Sequence, residues 1–359
     1  MRFLNKIEEE TVKNVLFFYM KTYSVINSTT KIQQFFTCSK RCLYVIAFIA
    51  LLGSVNNANA QNQADIVEKW GKLDNWRVRE IKESSIIGGN TKHLYEVAKG
   101  DTIKGAVAYV NPEGCVWSNS NVFASVSGVK KTNCSVFPEK RGDGYCARLE
   151  TRLESVRVLG MFNIRVIAAG ALFLGKMLEP IRDTKNPQSK LDCGIPFTDK
   201  PSGISFDYKV NVGKNRIKAP GFGSPKELGD DDYAECVVML QKRWEDAEGN
   251  VYSKRVGTGY YRFTKSQADW VNGFVVPIHY GDITKESFYK EYMQLIPAEL
   301  SNYMVNSKGV SVPIQEVGWG DASDTPTHVI VRFASSHGEA YVGDITNKLW
   351  LDNIKFIFK

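Results

Sequence analysis

Histidine and cysteine are scarce in this chain, four and seven among 359 residues. There is no C-x-x-C pair and no H-E-x-x-H, so the usual ligand spacings of a zinc centre are missing. No apolar run reaches the roughly 18 to 20 residues needed to cross a bilayer, which excludes a multi-span membrane protein. A G-x-S-x-G elbow and a P-loop are also absent. The segment GFGSPKELG, residues 221–229, contains G-x-G but lacks the preceding buried strand and the later acid of a dinucleotide loop. Formal charge is +7, yet the basic residues form no stripe interleaved with aromatics, and no nucleic-acid partner is expected.

What is present begins with an export signal. Lys40 and Arg41 stand just before the apolar run Leu43 to Val55, and NNANA follows, ending at Ala60. A positive flank, a short apolar core and an A-x-A site predict cleavage after Ala60, and hence secretion through the inner membrane to periplasm, cell surface or medium. Glu8, Glu9 and Glu10 do not suit such a leader, whereas a chain begun at Met20 does; residues 1–60 are read as a signal peptide with a spurious N-terminal extension. No cysteine follows the apolar core within reach of a lipid-attachment site. The leader holds seven of the basic and three of the acidic residues, so the mature chain has a net charge of only +3. Its five cysteines, Cys115, Cys134, Cys146, Cys193 and Cys236, cannot all pair. Cys134 and Cys146 could bridge in an oxidising compartment, and buried free thiols fit equally well.

Beyond Gln61 the pattern is mainly strand. A polar stretch with Trp70 and Trp76 reads as a short helix or edge segment docking its indoles. Ile204, Phe206, Tyr208, Val210 and Val212 alternate with Ser205, Asp207, Lys209 and Asn211, a period of two with one wet face. Tyr145 to Thr151 alternates likewise, with Cys146, Arg148 and Glu150 on the polar side. In 328–333, Val329, Val331 and Phe333 oppose His328, Ile330 and Arg332. On the last strand Trp350, Ile354, Phe356 and Phe358 are placed on one side with Asp352 among them. Phe162 to Leu174 and Cys236 to Leu240 are apolar on both faces, as central strands are. Gly/Pro/Asp turns punctuate these runs, and helical spacing recurs only within Lys285 to Met304. With no internal repeat or linker, residues 61–359 are expected to form one all-β domain, a sandwich of two antiparallel sheets with one short helix in a crossover loop.

The chemistry-bearing candidates lie on the wet strand faces. Arg148, Glu150, Asp207, Lys209 and Arg332 would line a concave surface if their strands adjoin in one sheet, and charged groups of this kind hydrogen-bond vicinal hydroxyls. Trp117, Trp270 and Trp319, each among turn formers, are the candidate loop aromatics, and Trp117 and Trp319 are taken as ligand-binding. Glu150 and Asp207 are also the candidate catalytic pair, since glycosidic hydrolysis needs two carboxyls about 5 to 10 Å apart. Asp352, projecting among apolar residues, is a candidate ligand of a structural calcium; no other cofactor is implied.

Four segments occur in an order that resembles a known family: GYCARLET at Gly144 to Thr151, IAAGALFLGKM at Ile167 to Met177, GIPFTDKPSGISFDYKV at Gly194 to Val210, and FASSHGEAYVGDITNKLWLDNIKF at Phe333 to Phe356. The family is the putative carbohydrate metabolism domain of envelope and secreted proteins of gut-type Gram-negative bacteria. The resemblance implies a jelly-roll sandwich like those of carbohydrate-binding modules, and a polysaccharide or glycoconjugate as partner. Where family members tend to carry a glycine-rich turn before the last strand, this chain has DITNKL at Asp344 to Leu349. The functional expectation is a secreted carbohydrate-binding protein, with a glycoside hydrolase or a structural or adhesion protein of the envelope as alternatives.

Overall fold

A computed structural model describes residues 63–158, 162–183, 186–221 and 223–358 of the chain. All belong to one compact unit, Asn59–Lys359. The expected export signal and upstream extension lie outside the described residues.

Two large sheets share one apolar core. The first is five-stranded, in the order Gln267–Pro277, Gly203–Asn211, Lys348–Ile357, Gly144–Glu150 and Val136–Arg141, antiparallel throughout. The second is ten-stranded, and its central path runs through Ala171–Met177, His328–Ala334, Ala234–Glu245, Val251–Phe263 and Ser311–Trp319. Its pairs on this path are antiparallel except that Val251–Phe263 runs parallel to Ser311–Trp319, so the sheet is mixed rather than purely antiparallel. The all-β class expected from the strand patterns is the class the chain adopts.

Alternation builds the core. Ile204, Phe206, Tyr208 and Val210 of the first sheet meet Val238, Val331 and Phe333 of the second. Phe206 is fully buried, and the Phe333 ring stands edge-on to it at 4.9 Å and 81°. Edge-to-face rings contribute about 0.5–1.5 kcal/mol beyond the area they bury. The run Cys236 to Leu240 is buried on both sides, as expected: Cys236 and Val238 face the shared core, while Val237 and Met239 enter a second cluster with Val251 and Ile314.

Three local expectations change. Phe162 to Leu174 is two strands rather than one, because the chain breaks between Phe162–Ala168, which pairs in a separate small sheet, and Ala171–Met177. Within Lys285 to Met304 no α-helix forms: the segment holds the 3-10 turns Glu291–Met293 and Ala298–Leu300, the second capped by Pro297, and then enters strand Tyr303–Val305. The one described α-helix instead covers 63–71, where Val67 is buried and Trp70 packs against the core. In the last strand, Leu349 and Leu351 point inward, and a register shift places Ile354 and Phe356 inward too. Asn353 sits there with φ +50. This bulge reverses the parity, so Trp350 faces outward rather than lying on the side of Ile354.

The five described cysteines are free, and Cys134 and Cys146 are not joined. The turn 344–349 is held from within: the carboxylate of Asp232, fully buried, accepts the Asp344 N–H at 2.8 Å and Asn347 Nδ2 at 2.9 Å, while Asp344 accepts the Asn215 N–H at 2.6 Å. Side-chain acceptors there do the work that a glycine-rich turn leaves to the backbone.

A small sheet formed by Trp76–Lys82, Thr91–Val97 and Ile103–Lys104 is fastened through a buried arginine. Arg79 donates to Glu179 through both terminal nitrogens, at 3.0 and 2.5 Å, and to Glu96 at 2.8 Å. Burial pushes the Glu96 carboxyl up to about 8, more than Arg79 beside it pulls it down. The folded state therefore keeps a proton that the unfolded chain releases near 4.5, so this contribution to stability is complete below that value and is lost as pH rises to about 8. His328, which burial holds at about 3, acts in the opposite direction but only below 6.5. The expected outcome in thermal unfolding is a melting temperature that declines between pH 6.5 and 8 in the wild type, with the decline removed in Glu96→Gln. A flat wild-type profile over that interval would contradict the assignment.

Candidate functional site

The outward face of the five-stranded sheet carries a row of rings and cations in register. Lys209 lies opposite Trp350, Trp350 opposite Arg148, and Arg148 opposite Phe137. Trp270, on the neighbouring strand Gln267–Pro277, completes the row. Lys209 Nζ stands 4.5 Å from the centre of the Trp350 ring and 5.6 Å from that of Trp270. The Arg148 guanidinium is 5.1 Å from Phe137. Every member of the row is half-buried, held from below yet open to solvent above. Such cation–π contacts contribute about 0.5–2 kcal/mol each and fix the orientation of long side chains that would otherwise sample many rotamers.

Carboxylates surround the row and bind its cations. Arg148 donates to Glu139 at 2.7 Å and pairs with Glu150 at 3.0 Å. Glu150 also receives Arg152 and Lys348, both at 3.2 Å, so three cations occupy one carboxylate. Cys146 is buried on this same side of its strand, and burial pushes its thiol up to about 12.

Below the row, Asp207 and Asp352 lie opposite each other on adjacent strands, and Arg141 Nη1 contacts both, at 2.8 and 2.6 Å. The same guanidinium lies 3.9 Å from the centre of Trp270 and donates to Asn272 at 2.6 Å. The two carboxyls nevertheless differ. Burial raises both, but Asp207 also accepts Asn353 Nδ2 at 2.8 Å and the Gly273 N–H at 2.7 Å; with Arg141 these outweigh burial and hold it below the ordinary aspartate value. At Asp352 burial prevails over Arg141 and the Asn353 N–H, and its pKa is raised.

Five of the residues singled out from the sequence, Arg148, Glu150, Asp207, Lys209 and Trp270, thus come together on one face, Trp270 from strand Gln267–Pro277 rather than from a loop. Three do not. Arg332 projects from the outer side of the other sheet, where it pairs with the buried Glu235 at 2.8 Å, because alternation fixes a side chain's face but not its sheet. Trp117 is not a loop aromatic: it sits on strand Trp117–Asn119, 1% exposed, with its indole N–H donated to Val67 O at 3.1 Å. Trp319 ends strand Ser311–Trp319 of the ten-stranded sheet, under the Arg255 guanidinium at 5.6 Å. Asp352, the candidate calcium ligand, lies 2.6 Å from Arg141 Nη1. Among the described residues no group of three or more His, Cys, Asp or Glu is placed to hold a metal ion.

Sequence reasoning missed Trp350, Phe137, Glu139 and Arg141. The signal for Trp350 was the spacing of L-x-L and I-x-F in LWLDNIKF, which is one residue out of step for a regular strand. Because Asp352 has the higher proton affinity, acidification takes its charge first and frees Arg141 from one of its two anchors. Tryptophan fluorescence is therefore expected to change on acidification through the range where Asp352 protonates, and Asp352→Asn should remove that transition while leaving the fold intact. A transition of unchanged size in Asp352→Asn would refute the coupling.

No curated protein matches the sequence. Several solved structures are similar to the chain, among them two from Bacteroides. One, described as a putative glycoside hydrolase from Bacteroides thetaiotaomicron, is 16% identical, with a TM-score of 0.40 and 75% of each chain covered. The other, described likewise from Bacteroides vulgatus, is 14% identical, with a TM-score of 0.39, covering 80% of this chain and 97% of that one. Residues 90–357, which include both large sheets and the whole cation–aromatic row, match the putative carbohydrate metabolism domain, and the chain belongs to that family.

Proposed function

We propose that this protein, whose family gives it a carbohydrate-related role, is a secreted glycan-binding domain that recognises its ligand on the outward face of the five-stranded sheet. The observation that carries the reading is the alternation of rings and cations, Trp270, Lys209, Trp350, Arg148 and Phe137, across adjoining strands. A pyranose has an apolar face that stacks on an aromatic ring and a rim of hydroxyls that hydrogen-bond to charged groups; a row of half-buried rings set among amines, guanidiniums and carboxylates meets both needs. The rings are locked by their neighbours before ligand arrives, which lowers the entropy cost of binding.

Binding fits this face better than hydrolysis. A retaining or inverting glycosidase needs one carboxyl kept protonated as the acid. Asp207 is held below the ordinary aspartate value, Glu150 is paired with Arg148, Arg152 and Lys348, and Asp352, whose pKa burial raises, is bound by Arg141 Nη1 at 2.6 Å, so each of these carboxyls is turned to a cation of the protein rather than left open to a leaving group. In affinity electrophoresis through gels cast with xylan, galactomannan, β-glucan, homogalacturonan or mucin glycans, at least one polysaccharide is expected to retard the wild type. Trp350→Ala should weaken that retardation about tenfold, the loss of one good stacking contact. Retardation unaffected by Trp350→Ala and Lys209→Ala, or release of reducing ends from the retained polysaccharide, would overturn the reading.

Secretion is proposed from the leader alone. N-terminal sequencing of the protein recovered from cells is expected to begin at Gln61; a mature protein still carrying residues before Lys40 would refute export through this signal.

A further inference from the structure

The cation–aromatic row does not stop at the edge of its sheet. Phe137 lies on the edge strand Val136–Arg141, and the next ring beyond it is Tyr95, on strand Thr91–Val97 of the small sheet, with centroids 6.0 Å apart. Tyr95 in turn lines a groove whose other walls are Trp76, Pro138 and Tyr145; Pro138 and Tyr145 share the parity of the inward Val136 and Ala147, so the groove opens around the edge strand, on its other side from Phe137. All four residues are half-buried. The groove continues past Asn75 and Lys99 into a second one beside the helix over 63–71, where Trp70 forms part of the wall.

The polar groups at this junction are unspent. Asn75 and Lys99 line both grooves, and neither side chain has a hydrogen bond or ion pair among the described residues. Their backbones are fixed: Asn75 O accepts the Ala98 N–H at 3.1 Å, and Lys99 O accepts the Arg77 guanidinium. Asp74 is anchored to the opposite wall by accepting the Tyr145 N–H at 3.2 Å. The groove thus offers rigid rings for stacking and an amide and an ammonium free to bond hydroxyls, the same pair of functions found in the row.

We infer that the groove lined by Trp76, Tyr95, Pro138 and Tyr145 is a second set of subsites for the same glycan, so that the ligand is an extended polysaccharide chain crossing from the sheet face over the Phe137–Tyr95 edge. This inference rests on the sheet face being a glycan site. The row alone spans four inter-strand steps, about 19 Å, and the groove lengthens it further. A ligand that fills both is a chain of several sugar rings. A monosaccharide or disaccharide engages only part of the surface.

The test uses the mature protein and a length ladder of whichever polysaccharide retards it in the gel panel, from disaccharide to octasaccharide, followed by isothermal titration calorimetry. Wild-type affinity is expected to keep rising beyond the tetrasaccharide. Tyr95→Ala, and separately the double variant Asn75→Ala with Lys99→Ala, should lower affinity for the octasaccharide about tenfold while leaving the disaccharide unchanged. The double variant removes side chains that have no partner in the protein, so loss of fold does not obscure the result. A plateau at the trisaccharide, or long-chain affinity untouched by both groove variants while Trp350→Ala still weakens binding about tenfold, overturns the extension and leaves the sheet-face site standing. Affinity sensitive to the groove variants but indifferent to Trp350→Ala overturns the sheet-face reading instead. Retention of no polysaccharide by the wild type overturns both.

Discussion

The outward row of rings and cations is only as firm as the interface beneath it, and that interface turns on Phe206. Its ring stands against Phe333 of the opposite sheet and is flanked by Phe274 and Tyr208 from its own side. Asp207 and Lys209 leave the same strand in the opposite direction. A strand whose alternate side chains serve a dry interior and a charged exterior cannot slip by one residue without exchanging the two. The core thereby fixes where each outward group stands, and the exterior inherits its spacing from packing it never touches.

The ion pairs on that exterior act mainly by arrangement. Partly exposed salt bridges contribute little individually, about 0–1 kcal/mol, and the side chains of Arg148 and Glu139 remain 29% and 30% exposed. Their value lies in joint constraint: Arg148 is held by two carboxylates and a ring, and Lys209 by two indoles and Glu139. The buried pairs elsewhere have another role. Arg255 with Glu316 ties the chain following Ile283 to the ten-stranded sheet, since Glu316 also accepts the Ile296 N–H at 2.8 Å. Arg79 with Glu96 and Glu179 does the same for the small sheet. In both places the charge is spent on holding loops and hairpins.

Local alternation made much of the architecture readable. Residues 144–151 and 203–212 announced one wet and one dry face, and both are strands of the sheet that carries the candidate site. Four of the candidate side chains fell together for that reason. What alternation cannot express is partnership. Arg332 has the outward parity expected of it yet belongs to the other sheet, because strand order is decided by contacts between residues far apart in the chain. Trp117 shows the complementary failure: its neighbours Ser118, Asn119 and Ser120 look like turn formers, but they are buried or half-buried hydrogen-bonding groups around a core indole. Trp350 and Arg141 escaped notice for geometric reasons, the first through a bulge and the second because its partners lie 66 and 211 residues away.

That bulge bears on how relatives of this protein are to be compared. Asn353 inserts one residue into the final strand, and its left-handed backbone absorbs the insertion without disturbing Ile354 or Phe356 in the core. Two related chains, one with such an insertion and one without, would have superimposable cores while their sequences run out of phase by one position. An ungapped alignment through this point would equate an interior leucine of one with the outward-facing tryptophan of the other. Comparison of this outward face across the family has to allow a one-residue gap at position 353, because the feature being compared lies on the far side of it.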